Sequence, residues 1–232
     1  MSRTSLLSRT GSFLIASLFT VCLLAGGCAG TADSSPAASQ LPAQPTPADT
    51  VLEMPAGFAI TRVYKEHVPA LRLIGKRYTG GDAGPDGFGA MWGEWFEANR
   101  FAELERLGPS DAGGGGYLGL MTFRNTTGEF AYWIGILFPS GMAVPEGFDH
   151  LDLPESDLGI AWVYGDDRTG KIYGEGPHTA AYDELVGKGW DKLRPNAGGE
   201  NTVVFFERYN GQRFTTRDDK GNVILDYGFY IE

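Results

Sequence analysis

One carboxylate interrupts a segment that is otherwise typical of a buried β-strand. Residues 203–209 read Val-Val-Phe-Phe-Glu-Arg-Tyr. Period-two alternation assigns four of these side chains to one face of the strand: Val203, Phe205, Glu207 and Tyr209. A carboxylate among aromatic side chains is either a charge at the edge of a sheet or the polar group of a site. One carboxylate with aromatic faces is also how proteins bind lipophilic cations, so Glu207 is the leading candidate for a ligand-binding residue.

Aromatic residues supply the remaining candidates for the wall of such a groove. Tyr and Trp combine a large apolar surface with one polar group that a purely structural core does not need. Most aromatic side chains are expected to pack in the core, but some of those in strands should line a pocket. With Glu207 and Phe205, the predicted ligand-binding residues are Tyr132, Trp133, Trp162 and Tyr227.

Other chemistries have little support in the sequence. His67, His150 and His178 do not pair with a second His, Cys or Glu at the spacing of a metal site, so neither a metal nor a cofactor is expected. No Gly-x-Ser-x-Gly segment marks a nucleophilic serine. Residues 165–172 approach the phosphate-loop pattern but have isoleucine where Mg²⁺ needs a hydroxyl. The net charge of −10 argues against nucleic-acid binding.

The segments that would position these residues form two diverged copies of one module. Pro-Ala-Gly-Phe at residues 55–58 recurs as Pro-Glu-Gly-Phe at residues 145–148, and the same offset of 90 residues relates Trp92 to Tyr182. In each copy, two strand-like segments precede a helical one and two more strands follow. The predicted fold is therefore α+β, with about eight mostly antiparallel strands, two helices related by a pseudo-twofold axis, and a central groove.

Local patterns set the bounds of these elements. Apolar residues at helical spacing, with Asp86 as N-cap and Gly108 as a stop, predict the first helix. The predicted helices cover residues 87–107 and 178–193, and the predicted strands cover residues 58–65, 71–78, 117–123, 129–138, 148–153, 158–164, 203–209 and 223–231.

The beginning of the chain has the pattern of a bacterial lipoprotein signal. Arg3 and Arg9 precede an apolar run at residues 13–24, which is shorter than the roughly 20 residues that a membrane-spanning helix needs. The run ends in Leu-Ala-Gly-Gly-Cys, which resembles a lipobox, so Cys28 is expected to carry diacylglycerol and a fatty-acyl chain such as palmitate. The alternative is an ordinary cleaved signal with an incidental cysteine. Because Cys22, the other cysteine, lies inside the signal, no internal disulfide is expected in the mature chain.

These features predict three parts and a location. Residues 1–27 would be a lipoprotein signal peptide, residues 28–50 the lipidated cysteine and a disordered linker rich in Pro, Ala, Ser and Thr, and residues 51–232 one folded domain. The protein is expected to be anchored by its lipid in the cell envelope, facing the periplasm or the exterior. Ala29, rather than aspartate, after the lipidated cysteine would favour the outer membrane in a double-membrane bacterium.

Residues 58–231 resemble the GyrI-like small-molecule-binding domain, also called the AraC-type effector-binding domain. The order and spacing of four segments carry the resemblance. They are the first helix at residues 92–107, the Tyr-Trp-Ile-Gly-Ile strand at 132–136, the Val-Pro-Glu-Gly-Phe segment at 144–148, and Phe-Phe-Glu-Arg-Tyr at 205–209 followed by 225–231.

The resemblance implies a function for the groove. Members of the family bind hydrophobic, often cationic or planar compounds, and Glu207 matches the position of their ligand-contacting glutamate. Some stand-alone members hydrolyse reactive electrophilic small molecules with this glutamate and a tyrosine, so Glu207 and Tyr132 are the catalytic residues if the chain is an enzyme. Three hypotheses stay open: an envelope module that binds an amphipathic small molecule, a hydrolase with Glu207 as general base, and an interaction lipoprotein whose groove is filled by its own side chains.

Overall fold

Eight antiparallel strands form a single sheet in the computed structural model, which describes residues 54–85, 87–108, 112–195 and 197–232. The strands are β1 (Phe58–Val68), β2 (Leu71–Thr79), β3 (Tyr117–Arg124), β4 (Phe130–Pro139), β5 (Asp149–Leu153), β6 (Ser156–Gly165), β7 (Asn201–Tyr209) and β8 (Val223–Ile231). Four α-helices accompany them in the described part of the chain: α1 (Gly89–Glu97), α2 (Arg100–Glu105), α3 (Glu175–Gly187) and α4 (Gly211–Phe214). The predicted α+β fold is confirmed.

The strands lie within three residues of their predicted ends, whereas the helices differ more. The helix predicted at residues 87–107 is divided into α1 and α2, because Asn99 adopts a left-handed conformation with φ of 57°. The second helix begins earlier and ends before Gly189, whose φ of 71° is typical of the residue after a helix. The predicted N-cap Asp86 lies outside the described residues. None of the described helices is long and apolar enough to cross a membrane.

The order of strands in the sheet, β1-β6-β8-β7-β3-β4-β2-β5, reflects the duplication. One half contains β2, β4 and β3 of the first module with β5 of the second at its edge. The other half contains β6, β8 and β7 of the second module with β1 of the first at its edge. The exchange makes the halves equivalent, and the pseudo-twofold axis passes between the central strands β3 and β7.

Two short turns force this sheet to coil strongly. Residues 69–70 alone link β1 to β2, and residues 154–155 alone link β5 to β6, although six inter-strand steps separate each pair of strands. Six steps in a flat sheet would span about 29 Å, whereas such a link reaches only about 11 Å. The edges of the sheet therefore approach each other, and side chains from all eight strands meet in one core on the concave face.

The helices cover the other face of the sheet in two separate cores. Trp95, Phe101 and Leu104 of α1 and α2 pack on the half that contains β2 and β4. Ala181 and Leu185 of α3 pack on the half that contains β6 and β8. The central strand β3 contributes side chains to the first of these cores and β7 to the second. We use the word groove for the part of this face that lies over the β3–β7 pair, between α1 and α3.

A network of buried charged side chains lies on the concave face of the sheet, behind this groove. The Arg208 guanidinium is 1% exposed and donates to Asp226 Oδ2 at 2.9 Å and to Glu66 Oε2 at 3.0 Å. Arg213 donates to the same aspartate at 2.5 Å. Gly114 lies against the guanidinium, since a Cβ built there would be 2.4 Å from Arg208 Nη1. Position 114 in the Gly113–Gly116 run therefore needs glycine for two reasons: a side chain would clash with Arg208, and the backbone φ is 88°.

Candidate functional site

Glu207 lies on the central strand β7 of the sheet, on its helix-covered face, between Gly119 of β3 and Tyr227 of β8. The side chain is 7% exposed. Its Oε2 accepts a hydrogen bond from the Tyr209 hydroxyl at 2.8 Å, and its Oε1 accepts one from the Tyr227 hydroxyl at 2.9 Å. Within the described residues, no Lys, Arg or His forms an ion pair with it. Burial raises the pKa of Glu207 more than the two hydrogen bonds lower it.

The two tyrosines that meet Glu207 remain hydrogen-bond donors. Burial and the negative charge of Glu207 raise the pKa of the Tyr209 and Tyr227 hydroxyls, so neither ionises near neutral pH. The Tyr227 hydroxyl also lies 3.1 Å from the carbonyl oxygen of Ile172, and its single proton can serve only one of these acceptors at a time. The site therefore contains one carboxylate, surrounded by neutral donors.

Tyr132 completes the floor of the groove from the neighbouring strand β4. Its hydroxyl accepts a hydrogen bond from Trp92 Nε1 of α1 at 2.9 Å. The hydroxyl lies above Gly119, where a Cβ would be 2.3 Å from Tyr132 Oη and 3.3 Å from Trp92 Cζ2. Gly119 is therefore the residue that leaves room for Tyr132 beside Glu207. A glycine inside a strand is the sequence signal of such a close approach.

Replacing Gly119 with alanine is expected to destabilise the domain by about 1–3 kcal/mol, because the new methyl group pushes Tyr132 off its position over the strand. Chemical denaturation of the variant measures this loss. Gly187→Ala is the matched control, since nothing lies within 4 Å of a Cβ at that helical glycine. Equal stabilities of the two variants would show that Tyr132 shifts without cost.

Trp92 closes the groove over the carboxylate. Its ring lies 4.7 Å from the Tyr209 ring, and the floor residues beneath it are almost completely buried. Gly93 weakens the helix that carries Trp92, since an interior glycine costs about 1 kcal/mol relative to alanine. A ligand that reaches Glu207 must displace this tryptophan, and Gly93 lowers the free-energy cost of moving the helix that carries it.

The opposite wall of the groove belongs to α3 and the strands beneath it. The His178 ring lies 4.1 Å from the Phe205 ring, and Phe205 stacks on Tyr227 with centroids 5.8 Å apart. Burial lowers the pKa of His178, so its imidazole is neutral at neutral pH. His178 therefore places no positive charge against a cation near Glu207.

The structure brings four of the six predicted ligand-binding residues to the helix-covered face: Glu207, Tyr132, Phe205 and Tyr227. It separates the other two, because Trp133 and Trp162 belong to the core on the concave face. The assignment of Val203 to the face of Glu207 is wrong. A β-bulge between Val203 and Phe205 shifts the pairing of β7 with β3, which moves Val203 to the concave face.

Three residues of the site were missed by the sequence reasoning: Trp92, Tyr209 as a hydrogen-bond donor to Glu207, and Gly119. Trp92 lies in a helix with an apolar face, where a tryptophan is typical of a core. Tyr132, the tyrosine predicted to be catalytic, accepts its hydrogen bond from Trp92. The described hydrogen bonds of Glu207 come from Tyr209 and Tyr227 instead. Among the described residues, no group of three or more His, Cys, Asp or Glu side chains could hold a metal ion.

Solved structures with this arrangement of strands and helices exist at low sequence identity. A putative bacterial transcription regulation protein from Staphylococcus aureus Mu50 superposes with a TM-score of 0.52 at 15% identity, covering 74% of this chain and 98% of that chain. SAV2435 bound to tetraphenylphosphonium superposes with a TM-score of 0.53 at 15% identity, covering 74% and 94%. No family model and no curated protein matches the sequence. The described domain therefore has the GyrI-like fold that its sequence resembles.

Proposed function

We propose that this protein binds an amphipathic organic cation in the groove between α1 and α3, with Glu207 as its anionic partner. The observation that carries the proposal is a carboxylate that is 7% exposed and has only tyrosine hydroxyls as described partners. An ionised carboxylate in such surroundings is costly unless a positive charge joins it. A bound cation would supply that charge.

The surroundings of Glu207 favour an organic cation over a metal ion. Three aromatic side chains lie close to the carboxylate: Tyr209 donates to it, and Trp92 packs on the Tyr209 ring and donates to the Tyr132 hydroxyl. Cations bind to aromatic rings when both are removed from water. The complex of SAV2435 with tetraphenylphosphonium supports the proposal, since that protein shares the fold. The ligand would replace Trp92 as the cover of Glu207.

Titration with tetraphenylphosphonium tests this function. Residues Asp49–Glu232 form a compact unit, so this fragment is the protein to use. Binding should quench tryptophan fluorescence, because Trp92 moves, and should stabilise the fold by about 2.7 kcal/mol at 100 times the Kd. Neutral triphenylphosphine oxide is the control and should bind more weakly. Equal binding of the neutral compound would exclude Glu207 as a charge partner, and binding of neither would favour the interaction-protein hypothesis.

The hydrolase hypothesis is tested in the same samples. Glu207 has the buried position and raised pKa of a general base, and tyrosine hydroxyls surround it. Mass spectrometry of an electrophilic ester or epoxide after incubation distinguishes the hypotheses, since a binding module returns its ligand unaltered. Product formation that is lost in Glu207→Gln would establish catalysis.

We also propose that Cys28 anchors the domain to a membrane of the cell envelope. The support is the lipobox-like segment that ends at this residue and the linker-like composition of residues 29–50. Full-length protein produced in a bacterium with an alkyne analogue of palmitate should carry the label and sediment with membranes. Cys28→Ser should abolish both, whereas Cys22→Ser should retain both. Label on the Cys28→Ser variant would contradict the assignment.

A further inference from the structure

A series of aromatic rings continues the site from Tyr132 to the protein surface. Phe88, which precedes α1, stacks on Tyr132 with centroids 4.3 Å apart. Phe130 lies 6.0 Å from Phe88, and Phe123 lies 5.4 Å from Phe130. We call these four residues, Tyr132, Phe88, Phe130 and Phe123, the aromatic strip.

The β3–β4 hairpin explains the direction of the aromatic strip. Phe130 and Tyr132 are two residues apart on β4 and share a face, while Phe123 pairs directly with Phe130 across the hairpin. The strip therefore runs along the hairpin, away from Glu207 and towards the turn that joins the two strands. Its outer end is open, since Phe123 is 43% exposed and Phe130 is only half-buried.

The two pseudo-symmetric halves differ in the rings that lie beside the carboxylate. The 90-residue offset that relates the modules places His178 at the position of Phe88. His178 packs on Phe205 and on Phe229 of β8, as Phe88 packs on Tyr132 of β4. The groove therefore has a phenyl ring on one side of the carboxylate and an imidazole on the other. Such a groove distinguishes the two orientations of an elongated ligand.

We infer that the aromatic strip binds the apolar arm of an elongated, amphiphilic cation whose charged end lies at Glu207. This inference rests on the proposed function and narrows its ligand class. A compact cation would contact Tyr132 and the carboxylate alone and leave Phe123 and Phe130 in water. An alkyl or aryl arm would cover the exposed faces of these two rings, which gains the apolar burial that the free protein lacks.

Alkyltrimethylammonium ions of increasing chain length, used below their micelle concentrations, test this inference on the Asp49–Glu232 fragment. Affinity should rise about fourfold for each methylene that the strip removes from water. Phe123→Ala and Phe130→Leu should each flatten this rise. Val186→Ala is the matched control, because Val186 is 46% exposed on α3, outside the strip, and should leave the rise intact.

The outcomes separate the inference from the function on which it rests. An affinity that is independent of chain length, yet is lost in Glu207→Gln, would keep the cation site and overturn the strip. A rise that survives both phenylalanine variants would also overturn it, because the arm would then lie elsewhere. Thermal unfolding of each variant confirms that it is folded, and Phe123→Ala changes only an exposed ring. If neither tetraphenylphosphonium nor any alkylammonium binds, the proposed function and the strip fail together.

Discussion

Glutamine at position 207 is expected to weaken the binding of tetraphenylphosphonium by about 100-fold, or about 2.7 kcal/mol. Glutamine has nearly the shape of glutamate and can still accept a hydrogen bond from Tyr209 or Tyr227. The substitution therefore removes the charge while leaving the aromatic walls in place. Isothermal titration calorimetry of the wild type and the variant measures the difference.

Two comparisons isolate the local charge. Glu146→Gln changes the net charge of the protein by the same amount at an exposed position, and it should leave the affinity unchanged. A neutral aromatic ligand should bind Glu207→Gln as well as it binds the wild type. If the neutral ligand loses as much affinity as the cation, the substitution has disturbed the groove and the charge assignment is wrong.

The same variant should be more stable than the wild type at neutral pH. Burial raises the pKa of Glu207 above its ordinary value of 4.5, so the folded state binds this proton more tightly than the unfolded state. The resulting stabilisation is complete below pH about 4.5 and is lost as the pH rises through the pKa of the folded state. Its size is about 1.4 kcal/mol for each unit that separates the pKa of the folded state from the pKa of the unfolded state. Urea denaturation should show that Glu207→Gln is more stable than the wild type at pH 8 but not at pH 4. A loss of stability at pH 8 would contradict this account.

Much of the fold was open to prediction because its signals are local. Alternation of apolar residues and the turn sequences set the strands, and the offset of 90 residues between repeated segments indicated the duplication. The break at Asn99 was not predicted, since the apolar spacing continues across it and only the backbone of one residue changes. Alternation alone also does not reveal which face of a strand the helices cover. Tyr132 and its neighbour Trp133 were therefore both assigned to the groove, and the structure places only Tyr132 there.

The parts of the site that sequence reasoning missed depend on contacts between distant segments. Gly119 matters because Tyr132 of the next strand crosses above it, and nothing within β3 itself shows this. The bulge in β7 moves Val203 to the opposite face through a single unpaired residue. Arg208 follows Glu207 directly and reads as an ordinary surface charge. Its burial results from the coil of the sheet, which brings Glu66 of the edge strand β1 to within 3.0 Å of it.

Removing the charge of Asp226 is expected to cost about 3–5 kcal/mol of stability, the range typical of a broken buried ion pair. Asp226 is fully buried and accepts hydrogen bonds from both Arg208 and Arg213. In Asp226→Asn, the carboxylate of Glu66 would be the one negative charge of the network that remains for these two guanidinium groups. Guanidinium chloride denaturation at neutral pH measures the loss.

Asp152→Asn provides the exposed counterpart of this substitution. Asp152 accepts two hydrogen bonds from Arg72, at 2.6 and 2.9 Å, but its side chain is 56% exposed. Water screens that pair, so the loss should be below about 1 kcal/mol. Similar losses in the two variants would show that water reaches the concave face and that the buried network is no stronger than a surface pair.

The double variant Arg208→Met with Asp226→Leu tests why the network is there. It removes both fully buried charges together, and the remaining Arg213 and Glu66 are partly exposed at 14% and 24%, so each can turn to water. The double variant should therefore lose less stability than Asp226→Asn alone, because no unpaired charge stays in the core. If its stability is retained but its affinity for tetraphenylphosphonium falls, the network holds β7 in the position that presents Glu207 to the groove. If both are retained, the buried charges contribute neither to the fold nor to the site, and apolar packing of the coiled sheet alone positions the carboxylate.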